Sequence, residues 1–298
     1  MYRLNSRDFL NFKFNRSSKD KIKVNDFLKD RGLSSRLIRR SVKSGNIYLD
    51  SRLNKRNKFL KKGDIISLRF EDEDPNGAVE HKDLDIVYED EDLVIVNKEP
   101  FMVTHTAKDD AEGTLLNYLL GYFEDQGLKR KVRFVNRLDR DTSGLVVAAK
   151  NSFAQDKISS DFKDGVEKKY IAIVEGILDE KEGIIEGPIA TSEDGIRREV
   201  NYVIGKNSLT SYKVLGEYEG MSLVLLTLHT GRTHQIRVHM AHLGHPILGD
   251  GLYGSKSDLI NRQALHSYSL KFKLPRTNKD LEVFAKLPED FSFFPEVY

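Results

Sequence analysis

The chain has 298 residues, 39% of them hydrophobic, with no cysteine and no tryptophan. That is enough apolar material for one large domain or two ordinary ones, and the absence of cysteine excludes disulfides, thiolate nucleophiles and cysteine-ligated zinc. Net charge is only +2, yet residues 1–70 carry 20 Lys and Arg against 6 Asp and Glu, a net of +14, leaving 28 against 40, a net of −12, for the remainder.

The opening Met1-Tyr2-Arg3-Leu4-Asn5 has no signal-peptide pattern, and no apolar run approaches the roughly 20 residues that cross a bilayer. The expectation is a cytoplasmic protein away from membranes. Phe9, Phe12 and Phe14 form an aromatic run before a break at Arg16-Ser17-Ser18, and Phe12 and Phe14 share the spacing of one strand face. A helix is predicted over 22–29, with Val24, Phe27 and Leu28 apolar, ending at Arg31-Gly32. A second starts at Ser34 or Ser35, either of which suits an N-cap, and stops at Gly45. Leu37, Ile38 and Val42 form its inner stripe, while Arg36, Arg40 and Lys43 follow i, i+4, i+7 on the other side with Arg39 at the border. Strands are predicted at 46–50 and 65–70, around the turn Lys61-Lys62-Gly63-Asp64. A basic field this dense serves phosphate contacts better than plain solvation does. The order of helix, basic helix, Gly45-Asn46-Ile47, strand and Gly63-Asp64 resembles an S4 RNA-binding domain over residues 16–72, with Lys23-Val24-Asn25-Asp26-Phe27-Leu28 where an Arg-Leu-Asp-x-Phe-Leu opening is common. On that reading Arg36, Arg39, Arg40 and Lys43 contact RNA.

Residues 71–92 hold eleven acids and one lysine, a composition that predicts a self-repelling linker over 73–83. Strands at 84–88 and 93–96 lead to Asn97-Lys98-Glu99-Pro100 and His105, and a helix over 114–123 turns Leu115, Leu116, Leu119 and Leu120 inward. The stretch Phe134 to Lys150 then sets Asp139 between Arg137 and Arg140, followed by the polar turn Asp141-Thr142-Ser143-Gly144 and a run, Leu145 to Ala149, predicted as a buried strand. On local physics Asp139 is a candidate nucleophile, an anchored ion pair or part of a charged surface turn.

This stretch resembles the signature loop of the RluA-type RNA pseudouridine synthases, His-Arg-Leu-Asp-x-x-Thr-Ser-Gly, matched by Arg137, Leu138, Asp139, Thr142, Ser143 and Gly144; Asn136 stands where the family has His. The preceding order, Tyr88 to Leu93, then Lys98, Pro100 and His105, is similar to the opening of the same catalytic domain. A strand over 168–176 alternates through Tyr170, Ala172 and Val174. It resembles the family's second motif, which implies that Tyr170 stacks on the flipped uracil, compensating for lost base stacking, with proton transfer as a further role.

A strong strand over 222–229 and the turn Thr230-Gly231-Arg232-Thr233 precede a helix over 234–243, closed by Gly244 and Pro246, with Ile236, Met240 and Leu243 inward. Thr230 to His239 and Gly244 to Asp250 are similar to the third motif, implying Arg237 as the partner that keeps Asp139 ionised and oriented. Ala264-Leu265-His266 resembles a segment whose leucine lines the uracil pocket, a role compatible with Leu265 packing at a helix-to-strand corner. A strand over 281–285 completes the chain.

The resemblance covers 84–298 and implies an α+β catalytic domain with a mixed, mainly antiparallel sheet, isomerising uridine to pseudouridine in RNA. The N1–C1′ bond breaks, the uracil turns, and the bond re-forms through C5. Asp139 would attack ribose or base, or remove a ribose proton, and Arg137 would enter the duplex where the target base has left. The reaction is redox-neutral and calls for no cofactor. His239 and His242 lack a zinc-binding spacing, and Gly249 to Lys256 reverses the end of a phosphate loop, so neither metal nor ATP is expected. A tRNA synthetase with an S4 domain would need the missing ATP signatures. Large-subunit ribosomal RNA is the expected substrate, with transfer RNA or a non-catalytic ribosome-assembly role as alternatives. A monomer is expected.

Overall fold

The aromatic run and the two short helices near the N-terminus close around a core of their own. In the computed structural model, which describes residues 5–16, 21–105 and 112–295, this unit comprises β1 (Asn5–Ser6), β2 (Phe9–Lys13), α1 (Val24–Asp30), α2 (Ser35–Lys43), β3 (Ile47–Leu49), β4 (Arg52–Leu53) and β5 (Ile65–Arg69). The strands form an antiparallel sheet in the order β1-β2-β5-β3-β4. Phe14 and Phe27 meet edge to face at 5.3 Å inside it. Strands β1 and β2 lie before residue 16, and the expected break at Ser17-Ser18 lies outside the described residues. Ser34 is the N-cap of α2, accepting the Leu37 N–H. The helix buries Leu37, Ile38 and Ser41, so Val42 is turned outward, correcting the expected stripe by one residue.

The second unit takes β6 (Ile86–Glu89), β7 (Leu93–Lys98), α3 (Leu115–Asp125), β8 (Arg133–Phe134), β9 (Ser143–Ala149), α4 (Ser152–Asp164), β10 (Glu167–Glu175), β11 (Glu182–Glu186), β12 (Ile189–Thr191), β13 (Arg198–Val200), β14 (Leu209–Tyr218), β15 (Met221–Leu228), α5 (Gln235–His242), β16 (Leu265–Lys273) and β17 (Asp280–Phe284). Its ten-stranded sheet runs β11-β14-β15-β10-β16-β9-β7-β6, with β17 on β16 and β8 on β9. Pairing is antiparallel except between β16 and β9. This is the expected mixed, mainly antiparallel α+β architecture.

The central strands read as unbroken apolar runs because both faces are covered. On β7, Val94 and Val96 face the core that contains Leu119 and Phe123 of α3, while Leu93 and Ile95 face the core that contains Ala154 and Ile158 of α4. Gly144 marks where β9 and β16 approach: its φ is +109°, and a Cβ there would lie 2.3 Å from the Ser267 carbonyl oxygen.

Three expectations change. Leu243 is exposed at the end of α5 while Ile236 and Met240 are buried, because the helix stops at His242 and Leu243 is its C-cap. No helix precedes Leu265; it opens β16 directly. The acidic stretch after β5 does not hang free. Glu73 pairs with Arg133 at 2.5 Å, Asp72 with Arg130 at 2.9 Å, and Asn76 exchanges two hydrogen bonds with the Val132 backbone. Lys129, Arg130 and Arg133, paired with Asp74, Asp72 and Glu73, offset the self-repulsion that the composition implies. No helix among the described residues is long and apolar enough to cross a membrane.

Candidate active site

The loop between β8 and β9 carries Asp139, and its backbone is held at four successive carbonyls, 138 to 141. Thr104 Oγ1 donates to Leu138 O at 3.0 Å, Thr142 N to Asp139 O at 3.1 Å, Lys98 Nζ to Arg140 O at 3.0 Å, and Arg262 Nη1 to Asp141 O at 3.1 Å. Lys98 and Arg262 were not singled out as site residues from sequence. Both are almost fully buried. Lys98 also donates to the carbonyls of Glu99 and Met102, and Arg262 is anchored by a two-bond pair with Asp290. Burial and then the charge of Arg262 push the Lys98 ammonium down to about 7, against the pull of Asp141 and Asp139. A lysine ending the apolar run Val94 to Val96 was the available signal for it. Asn136, in place of the family's His, spends its side chain on β9, giving Nδ2 to Leu145 O at 3.1 Å and accepting Val147 N at 2.8 Å.

Arg237 of α5 reaches Asp139, with Nη1 to Oδ2 at 3.0 Å. Its Nε and Nη2 grip both oxygens of buried Asp250 at 2.6 and 2.9 Å. Burial opposes the guanidinium charge, but Asp250 and Asp139 outweigh it and raise the Arg237 pKa above its ordinary value. The fork geometry lets one arginine be fixed by one carboxylate while it orients another. Its guanidinium also sits over the Tyr253 ring, 5.1 Å from the centroid.

His234 adds a neighbour that the motif reading left without a role. It occupies the left-handed region at the N-cap of α5, φ 57° and ψ 18°, and its Nε2 lies 3.5 Å from Asp139 Oδ2. Burial holds the ring below its ordinary pKa, so it is neutral at neutral pH. The Tyr253 oxygen accepts the Arg198 N–H at 2.9 Å and lies 2.8 Å from His234 Nδ1. We assign the tyrosine proton to Nδ1, which leaves the imidazole hydrogen on Nε2, facing Asp139.

Two cavities meet at this carboxylate. One, about 640 Å³, is lined by His105, Arg137, Asp139, His234, Arg237 and Asp250 among others. The other, a slot of about 80 Å³, brings Asp139 and Arg237 together with Tyr170, Leu265 and Arg137. Arg137 is exposed, whereas Tyr170 and Leu265 are buried. Burial, with the Asp139 charge adding, pushes the Tyr170 phenol up to about 12. It therefore stays protonated near neutral pH, able to stack or donate but not to act as a base. The cations Arg36, Arg39, Arg40 and Lys43 are not in these cavities; they stand exposed on α2. His239, weighed above as a metal ligand, is a core residue placed 2.9 Å from both Thr210 Oγ1 and the Gly187 oxygen.

A family model described as RNA pseudouridylate synthase matches residues 92–242. An uncharacterized RNA pseudouridine synthase of Bacillus subtilis (strain 168), YjbO, is 36% identical over 274 residues, 90% of this chain and 96% of that protein. The chain belongs to the RNA pseudouridylate synthase family. Another relative of this synthase is the ribosomal large subunit pseudouridine synthase D of Haemophilus influenzae, 36% identical, covering 77% of this chain and 75% of that one. Among solved structures, human RNA pseudouridylate synthase domain containing 1 superposes with a TM-score of 0.58 and 34% identity, over 70% of this chain and 84% of that one.

One part of the synthase support is titratable. His266, fully buried behind the loop with Nδ1 2.9 Å from Ser143 Oγ, is held down to about 3, chiefly by burial and then by Arg262. Between that value and the ordinary 6.5 the unfolded chain binds a proton that the folded one refuses, so stability falls as pH drops through this window. His266→Gln is expected to flatten the decline between pH 6 and about 4 in denaturant titrations. An unchanged slope would assign the acid sensitivity elsewhere.

Proposed function

We propose that Asp139 is the essential acid of the pseudouridine synthase reaction, acting on uridine in large-subunit ribosomal RNA. One observation carries this: a carboxylate oriented by Arg237 at the mouth of a slot lined by Tyr170 and Leu265. A uracil turned out of its helix would enter the slot with its face against Tyr170 and its edge toward Leu265. Asp139 then attacks ribose or base, or removes a ribose proton, while Arg137 fills the space left in the RNA. Breaking N1–C1′ and joining C5–C1′ conserves atoms and electrons once C5 gives up its proton to solvent and N1 takes one from it. The substrate reading is supported by relatives named as ribosomal large subunit synthases. Residues 16–72, with the strands before them, act as an S4-like RNA-binding unit through Arg36, Arg39, Arg40 and Lys43.

The test is a pseudouridine map of total RNA from cells lacking the protein, complemented with the intact chain or with Asp139→Asn. Loss of ribosomal sites restored only by the intact chain is expected. Loss confined to transfer RNA would replace the substrate; no lost site, or rescue by the Asn variant, would favour a non-catalytic binding role.

A further inference from the structure

Three neighbouring strands of the large sheet each run from the Asp139 site to the N-terminal unit. Strand β7 starts after Asp92, whose carboxylate takes Arg276 at 2.7 and 3.0 Å, and ends at Lys98 beneath the site. Strand β9 starts at Ser143 beside the site and ends just before α4, against which α2 lies: Ser34 Oγ donates to Asp156 Oδ2 at 2.6 Å, and Arg40 reaches Ser152 Oγ at 3.4 Å. Strand β16 starts at Leu265 in the slot, and the turn at its far end carries Arg276, which also donates to the carbonyls of Ser6 and Phe9 at 3.2 and 2.8 Å. Site and seam thus occupy opposite ends of the same strands. Seven residues at a rise of about 3.3 Å set them on the order of 20 Å apart.

The seam is built as a core is built. The Arg130 side chain, 2% exposed, gives Nη2 to Asp8 Oδ1 and Phe70 O at 3.0 and 3.2 Å, and Nη1 to Asp72 Oδ1 and Glu71 O at 2.9 and 2.8 Å. Phe153 of α4, 2% exposed, is part of the apolar cluster of the N-terminal unit. Undocking would break the four hydrogen bonds that the Arg130 guanidinium makes to Asp8, Phe70, Glu71 and Asp72 and open that cluster to water. Meanwhile Arg36, Arg39 and Lys43 are exposed and have no acidic partner among the described residues.

We infer that Arg130 and Arg276 are positioning residues that hold the basic face of α2 at a fixed span from Asp139, so that the enzyme selects a uridine lying that span from a second phosphate-bearing segment of the same folded RNA. The inference rests on the roles proposed above for Asp139 and α2. A rigid span makes the second contact intramolecular, and its effective concentration is lost when the units swing freely.

The native chain has no cysteine, so spin labels on Lys55→Cys and Lys213→Cys report one distance between the units. Wild type is expected to give a single narrow distribution, and Arg130→Ala/Arg276→Ala a broad one. On a ribosomal transcript carrying the mapped uridine, the double variant is expected to raise KM about tenfold with kcat within about twofold. On a short stem-loop with the same uridine, neither constant should move. A broad wild-type distribution, a narrow one in the variant, or an equal change in KM on both RNAs would overturn the inference. Should the double variant not fold, Asp8→Ala/Asp156→Ala loosens the rim of the seam and is measured the same way. If wild type leaves ribosomal transcripts unmodified, the substrate reading fails by itself. The distance distributions, with binding of a folded transcript against a short single strand, then still decide the docking.

Discussion

Asp139→Asn is expected to lower pseudouridine formation by more than about a thousandfold at saturating RNA, with RNA affinity within about threefold of wild type. Asparagine is isosteric, and its oxygen can still accept from Arg237 Nη1, which sits 3.0 Å from the carboxylate in the native protein. What it lacks is the charge and basicity that any of the three routes open to Asp139 requires, so the loss falls on chemistry rather than binding. Stability should barely change, because Asp139 is 27% exposed and its partner keeps the buried pair with Asp250. Forming the C5–C1′ bond expels the C5 hydrogen, so single-turnover release of tritium from RNA labelled at uridine C5 measures the step directly. A rate within tenfold of wild type would take Asp139 out of the chemistry.

How far the sequence reached depends on whether a residue acts through its neighbours in the chain or across the fold. The helices of the N-terminal unit, β7, β9, β10, β15 and α5 all follow from apolar period and end signals, and the pairing of Arg237 with Asp139 came from motif resemblance. The strands β11 to β14 and helix α4 went unread. Helix α4 is polar along much of its length, and its buried residues Phe153, Ala154 and Ile158 serve two different cores, so no single apolar stripe announces it. Asp250 and Arg262 are silent for a related reason: each meets its partner across the fold, 13 and 121 residues away in sequence. The acidic stretch misled because composition reports repulsion within a segment but not the arginines that later face it.

Arg237→Met should be the most destabilising single change at the site, by about 3–5 kcal/mol, because it leaves Asp250 buried with its charge uncompensated. Asp250 is 1% exposed, and both of its oxygens take a guanidinium nitrogen of Arg237. Turnover should also collapse, since among the described residues nothing else within 3.0 Å orients Asp139; His234 is neutral and 3.5 Å away. These two losses have separate causes and separate remedies. Adding Asp250→Asn to Arg237→Met removes the orphaned charge, so the double variant should recover much of the denaturant midpoint while its tritium release stays at the level of Arg237→Met alone. Arg237→Lys keeps a positive charge but loses the fork, and cannot grip Asp250 at two points while reaching Asp139 with a third nitrogen. It should fall between wild type and Met in both assays. If activity returned together with stability in the double variant, Arg237 would be a structural residue only. The orientation of Asp139 would then have to come from the four backbone bonds that hold its loop.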